Sequence, residues 1–122
     1  MELQFVHRSQ DGQVLILAVF LEQQSTNRDL SRLWSSIPTT GDTAAEPIPL
    51  DPARLLPNRR KYYQYEGSLT HPPCTEGVHW YVLTDPLNIS NQQLEHFSHL
   101  VPFNARPVQS LNGRKVTRST RN

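Results

Sequence analysis

The sequence predicts a mostly β protein with a few short helices. Residues Val14 to Leu21 form an uninterrupted apolar run of strand length, and Val78, Trp80 and Val82 share one face of a second strand-like run. The chain has 122 residues, of which 10 are proline and only 36% are hydrophobic, a composition that favours short strands and loops over a helical bundle. A chain of this length is typical of a single domain.

The N-terminal third of the chain predicts a β-hairpin. In the strand that starts at Glu2, Leu3 and Phe5 share one face while Gln4 and Val6 share the other. An Asp-Gly turn signal joins this strand to the apolar run. Because that run lacks polar alternation, we expect both of its faces to be covered by other parts of the protein.

Two segments have the spacing of amphipathic helices. The first follows a polar cap at one of residues 25–27 and stops at Pro38, with these apolar residues on one face: Leu30, Leu33, Trp34 and Ile37. The second starts with a capping box at Ser90 and has these residues facing inward: Leu94, Phe97 and Leu100.

The segments between and after the two helices predict loops and two more strands. Residues 39–48 are polar and small, as in a surface loop, and Asp51 caps a short helical turn that runs to Leu56. A strand over residues 62–65 is expected to end at Glu66-Gly67, and a strand over residues 78–83 to end at Asp85-Pro86. The last residues predict a short β-like stretch and a basic end.

The charge and cysteine content exclude several classes of function. With 12 Lys and Arg against 11 Asp and Glu, the chain has no net field to attract nucleic acid. Its longest apolar run is too short to span a bilayer, and we expect no signal peptide in the sequence as given, because a polar segment follows Met1 directly. Cys74 is the only cysteine, so it cannot form an internal disulfide or a Cys-based zinc site. We expect it to be a small, partly buried thiol.

Three blocks of the sequence together resemble the α-carbonic anhydrase family. The first block is residues 2–7, which end in a Val-His pair. The second is residues 67–80, which start with Gly-Ser-Leu-Thr-His-Pro-Pro. The third is residues 104–114, which contain Arg-Pro-Val-Gln. The second block is the most specific, because it is similar to the active-site loop of the family. The resemblance implies that residues 1–122 are the C-terminal portion of an α-carbonic anhydrase domain, a partial fold within a large, mainly antiparallel central sheet.

The same resemblance bears on zinc, the cofactor of the family. Family members hold zinc with three neutral imidazoles and leave a fourth position for water, whose pKa the metal lowers to about 7. The first two histidines form a His-x-His motif that would precede Glu2, and the third corresponds to Gln4, whose amide is a poor zinc ligand. His7 lies on the strand face opposite Gln4. We therefore expect no zinc to be bound by this chain alone.

The resemblance also implies roles for residues around the metal position. Glu2 matches the carboxylate that orients the third histidine, and beside Gln4 it is expected to bond an amide instead. Thr70 matches the catalytic threonine that aims the zinc-bound hydroxide. His71 lies near the substrate in the family. The apolar wall of the CO2 pocket is matched by Val6, Ile16, Leu69 and Trp80, for which packing in the core is an equally available interpretation.

Two hypotheses of function follow from this resemblance. The first is a truncated homologue of the enzymes that reversibly hydrate CO2 to bicarbonate, which does not catalyse the reaction alone and pairs with a separate N-terminal half. That half would also supply a disulfide partner for Cys74. The second is an acatalytic carbonic-anhydrase-related binding module, which the glutamine at position 4 favours. Neither hypothesis involves nucleic acid or a membrane, and the sequence does not indicate a compartment.

Overall fold

A computed structural model describes residues 1–36, 49–101 and 104–120, and these residues form a mostly β structure with short helices, as predicted. The strands are β1 (Glu2–Arg8), β2 (Val14–Gln23), β3 (Tyr62–Ser68), β4 (Glu76–Leu83), β5 (Leu87–Ile89) and β6 (Thr117–Arg118). The helices are α1 (Arg28–Trp34) and α2 (Asn91–Leu100), with a 3₁₀ turn at Pro52–Leu55. No described helix has the length and apolarity that crossing a bilayer requires.

The strands form one mixed sheet in the order β1-β2-β4-β3-β6, with β5 beside the far end of β2. The pairs β1–β2, β3–β4 and β3–β6 are antiparallel, whereas β2 is parallel to both β4 and β5. The predicted hairpin of β1 and β2 is present, and Ser9 closes its turn through hydrogen bonds to Gln13. The apolar β2 therefore lies inside the sheet, where neighbours on both sides satisfy its backbone.

The two faces of the sheet carry different clusters. On the face that we call the back, α1, α2 and the 3₁₀ turn cover an apolar core with these buried residues: Leu21, Leu30, Trp34, Leu55 and Ile89. Leu3 and Phe5 of β1 pack against this core, as their alternation predicted. On the opposite face, the front, the buried residues are Ile16, Ala18, Val78 and Trp80.

A buried glutamine joins the two helices. Gln93 is 9% exposed, and its side-chain oxygen accepts hydrogen bonds from the backbone N–H groups of Asn27 (3.0 Å) and Ser90 (3.1 Å). Its amide nitrogen donates to the Asn27 carbonyl and to the Ser31 hydroxyl, both at 2.7 Å. The predicted capping box at Ser90 is present, and Asn27 is the residue that caps α1. Because each polar atom of this amide is satisfied, its burial is compatible with a stable core.

The structure corrects the prediction for β3 and adds one strand. β3 continues through Glu66-Gly67 to Ser68 rather than ending at residue 65, because Gly67 faces Val78 within the ladder instead of forming a turn. β5 was not predicted, since three residues are too few for a periodic signal. The predicted inward residue Ile37 and the predicted loop at residues 39–48 lie outside the described residues.

Gly67 is required by close packing, and substitution to alanine tests this. A Cβ at position 67 would lie 2.9 Å from Tyr65 Cε2 and 3.0 Å from Trp80 Cδ1. We expect Gly67→Ala to lower the free energy of unfolding by about 1–3 kcal/mol and to change the near-ultraviolet circular dichroism of the displaced rings. Gly77→Ala is the control, because a Cβ there meets open space and acts only through its positive φ. Equal near-ultraviolet spectra for both variants would contradict this account.

Candidate active site

An apolar row crosses the front of the sheet. The strand registers place Val6 beside Ile16, Ile16 beside Trp80, and Trp80 beside Tyr65, so that β1, β2, β4 and β3 each contribute one residue. We call these four residues the front-face row. Ile16 and Trp80 are buried in it, whereas Val6 at the open end is 60% exposed. Three of the predicted pocket residues are thus neighbours in space, although they are far apart in the sequence.

Trp80 is the centre of the row. It is 4% exposed, its Nε1–H donates to the Ser68 carbonyl at 3.0 Å, and its ring stacks on Tyr65 with centroids 6.0 Å apart. Burial raises the pKa of the Tyr65 hydroxyl, the Glu2 carboxylate raises it further, and Arg114 opposes the change. Tyr65 was not among the predicted site residues, because only the strand register places it against Trp80.

Leu69 and the residues after it form a loop at the end of the row. The Leu69 side chain packs against the front cluster, while its backbone N–H donates to the Thr75 carbonyl at 2.9 Å. Cys74 closes the loop by donating from its backbone N–H to the His71 carbonyl at 2.8 Å. Thr70 and His71 lie at the exposed tip between these two bonds. The Cys74 thiol is free and half-buried.

An arginine from the C-terminal segment fastens this loop. Arg106 donates from one guanidinium nitrogen to the Ser68 hydroxyl at 2.9 Å and to the Leu69 carbonyl at 3.2 Å. The Ser68 hydroxyl donates in turn to the Leu69 carbonyl at 3.0 Å. Both backbone polar groups of Leu69 are therefore held, which fixes the direction in which the chain enters Thr70. The sequence contained Arg106 in the third block, but no local signal indicated this contact.

Gln4 and Glu2 occupy the edge of the same face. Gln4 lies opposite Ala18, next to the front-face row, and its side-chain nitrogen donates a hydrogen bond to the Glu2 carboxylate. The Gln4 amide thus gives one oxygen of the Glu2 carboxylate a hydrogen bond. Within residues 1–36, 49–101 and 104–120, no three His, Cys, Asp or Glu side chains converge in a way that could hold a metal ion. The described donors therefore do not fit the three-ligand zinc site that the resemblance implies.

This arrangement combines an apolar surface with a polar rim. The front-face row and Leu69 form an apolar surface, and the exposed residues Thr70 and His71 follow Leu69 directly in the chain. Of the predicted site residues, Val6, Ile16, Trp80 and Leu69 therefore lie together on the front face. Glu2 and Gln4 lie further along β1, at its N-terminal end.

Solved structures are similar to this fold over most of the chain. The α-carbonic anhydrase of Thermovibrio ammonificans, solved with the inhibitor sulfanilamide, matches with a TM-score of 0.85 and 44% identity, over 94% of this chain and 52% of that one. A carbonic anhydrase from a hydrothermal vent chimney matches with a TM-score of 0.90 and 36% identity, over 96% and 53% of the two chains. Dioscorin, solved with ascorbate, matches with a TM-score of 0.82 and 32% identity, over 96% of this chain and 52% of that one.

Sequence comparisons agree with the structural ones. The carbonic anhydrase of Neisseria gonorrhoeae is 47% identical over 117 residues, which are 95% of this chain and 46% of the relative. The carbonic anhydrase of a Nostoc species is 41% identical over 118 residues, which are 95% of this chain and 45% of the relative. The chain thus spans about half the length of the curated relatives it matches. The family profile described as eukaryotic-type carbonic anhydrase matches residues 1–120. The chain therefore belongs to the carbonic anhydrase family.

Proposed function

We propose that the front-face row and the loop at residues 69–71 form one side of the CO2 and bicarbonate pocket of a carbonic anhydrase. The observation that carries this proposal is the alignment of Val6, Ile16 and Trp80 across three strands, next to Leu69. CO2 is small and has no hydrogen-bond donor, so an apolar wall is the surface that suits it. Thr70 supplies a hydroxyl at the end of that wall, where a reacting oxygen can be oriented.

We also propose that these 122 residues do not hydrate CO2 by themselves. The family is zinc-dependent, and a catalytic zinc site needs three protein ligands with an open fourth position. Gln4 stands at the position that matches one of those ligands, and its amide is already bonded to Glu2. In this proposal the pocket is completed by a second segment that brings the His-x-His pair.

Stopped-flow measurement of CO2 hydration tests the proposal. We expect the purified chain with added zinc to show no rate above buffer, and Gln4→His to leave that result unchanged, because one imidazole cannot hold a catalytic zinc. The carbonic anhydrase of Neisseria gonorrhoeae, assayed in parallel, is the positive control. The proposal would be contradicted if the unmodified chain hydrated CO2 and a sulfonamide blocked that activity.

An acatalytic binding module is the second candidate. The hydrogen bond between Gln4 and Glu2 favours it, because it gives the Gln4 amide a partner in the chain that does not depend on a metal. The structural likeness to dioscorin, which was solved with ascorbate, adds a relative whose structure holds a ligand of a different kind. This candidate predicts that Gln4→His gives no gain in hydration even when the chain is mixed with a complementary N-terminal segment.

A further inference from the structure

A tight turn near the C-terminal end holds the only asparagine in the sequence that is followed by glycine. Asn112 has a φ of 50° and Gly113 a φ of 78°, and the backbone N–H of Arg114 donates to the Leu111 carbonyl at 2.9 Å. Two successive residues at positive φ within such a bond form a type I′ turn, for which Asn-Gly is a preferred pair. Both residues are exposed, so water reaches them.

The side-chain amide of an Asn-Gly pair can react with its own backbone. The backbone nitrogen of Gly113 loses its proton to water and attacks Cγ of Asn112. A new N–Cγ bond forms, the Cγ–Nδ2 bond breaks, and ammonia leaves with a proton. Water then opens the succinimide ring at either carbonyl, which gives aspartate or isoaspartate. Glycine favours the first step because it has no side chain to shield the nitrogen, and water is the only co-reactant.

We propose that Asn112 is a site of this deamidation and that Arg114 sets its rate by locking the turn. The first central residue of a type I′ turn has a ψ of about 30°, which places the Gly113 nitrogen nearly opposite Cβ of Asn112 across the Cα–C bond. The ring closes only when this nitrogen and Cβ lie on the same side of that bond. The turn must therefore open before the amide reacts.

The Arg114 side chain forms the lock. Its Nε donates to the Leu111 carbonyl at 2.8 Å, and one terminal nitrogen donates to the Ser110 carbonyl at 2.7 Å. The other terminal nitrogen donates to the Glu66 carbonyl of β3 at 3.4 Å. Hydrogen bonds from a charged donor are stronger than neutral ones. Because the guanidinium joins the start of the turn to the sheet, opening the turn costs these bonds in addition to the backbone bond.

The hairpin turn between β1 and β2 shows why Asn112 is the preferred site. Asp11 also precedes a glycine at positive φ, Gly12. Its carboxylate accepts hydrogen bonds from the Ser9 hydroxyl and, at 3.2 Å, from the Gln13 amide. The Ser9 bond, the backbone N–H of Asp11 and the Gln13 bond lower the pKa of this carboxyl, in that order of effect. An ionised carboxylate resists attack by nitrogen, whereas the neutral amide of Asn112 has no charge to oppose it.

Peptide mapping by mass spectrometry after storage at mildly alkaline pH tests the proposal. We expect conversion to begin at Asn112, and the formal net charge of the chain to fall from +1 to zero, so that ion exchange separates the product. The same chain unfolded in urea should convert about tenfold faster or more, because opening of a locked turn limits the native rate. A native chain that converts as fast as the unfolded one would overturn the proposal.

Arginine variants test the lock separately. Arg114→Ala should raise the native rate of conversion about tenfold and leave the rate in urea unchanged, because the turn is already open there. Lys115→Ala, at the exposed neighbouring residue, is the control and should change neither rate. If Arg114→Ala does not fold, Arg114→Lys gives the same comparison, since an ammonium cannot reproduce the three-way bonding. A lysine variant no faster than the control, or first conversion at a different residue, would contradict the proposal. The proposed pocket plays no part in either result.

Discussion

Changing Gln4 to histidine is expected to raise the rate of CO2 hydration by more than about 100-fold when a second segment supplies the other zinc ligands. The sample is an equimolar mixture of this chain with the N-terminal segment of a family member that carries the His-x-His pair. An imidazole nitrogen suits zinc better than an amide oxygen does. Groups that only orient a ligand change metal affinity or activity by about 10–100-fold, so replacing the ligand itself should have a larger effect. Stopped-flow hydration at saturating zinc measures this.

The control for this prediction is Gln13→His, which adds an imidazole in the exposed hairpin turn and should have no effect. If the mixture with Gln4 already matches a complete carbonic anhydrase, the assignment of Gln4 to the third ligand position is mistaken. If Gln4→His changes nothing although the two segments associate, the binding-module candidate takes precedence.

Replacing Trp80 with alanine is expected to be the most damaging single change to the fold. Trp80 is buried at the centre of the front-face row, stacks on Tyr65 and bonds the Ser68 carbonyl. The loss of a buried tryptophan costs about 3–5 kcal/mol, which approaches the whole stability of a small domain of about 5–15 kcal/mol. We expect circular dichroism of Trp80→Ala, measured as urea is added, to show no cooperative unfolding transition.

Trp80→Phe separates the ring from its hydrogen bond. Phenylalanine keeps an aromatic ring against Tyr65 but leaves the buried Ser68 carbonyl without the indole donor, so we expect a smaller loss of about 1–3 kcal/mol. Val108→Ala, at a side chain that is fully exposed, should show no measurable change. A Trp80→Ala variant as stable as the Val108→Ala variant would contradict the role of Trp80 in the row.

Local sequence signals predicted the elements that depend on local physics. The alternation in β1, the capping box at Ser90 and the Asp51 cap all involve neighbours within four residues, and each appears in the structure. The face assignment of Leu3 and Phe5 was also correct, because strand alternation leaves only two faces to choose from.

The features that were missed depend on residues that are distant in the sequence. The parallel pairing of β2 with β4 joins segments about 60 residues apart, and no local pattern reports it. Gly67 looked like a strand breaker because its actual constraint, the rings of Tyr65 and Trp80, becomes visible only in the folded sheet. Gln93 was predicted only as part of the capping box at Ser90, and its additional bonds to Asn27 and Ser31, which make it part of the core, were not foreseen.

The candidate site divides in the same way. Thr70, Leu69 and Gln4 could be singled out because they lie in segments that resemble the family. Arg106 and Tyr65 could not be assigned a role, since one acts through a contact 37 and 38 residues away in the chain and the other through the register of β3 against β4. The resemblance indicated candidate residues, and the sheet showed which of them are neighbours.

The zinc content of the purified chain tests the central claim most directly. The claim is that these residues provide a wall and a loop of the carbonic anhydrase pocket, but not a set of ligands that holds the metal. The chain would be loaded with zinc, dialysed against metal-free buffer and analysed by mass spectrometry of the metal. We expect far less than one zinc per chain. The dissociation constant should be no tighter than about micromolar, which corresponds to a binding free energy of about 8 kcal/mol. One tightly held zinc per chain would contradict the account.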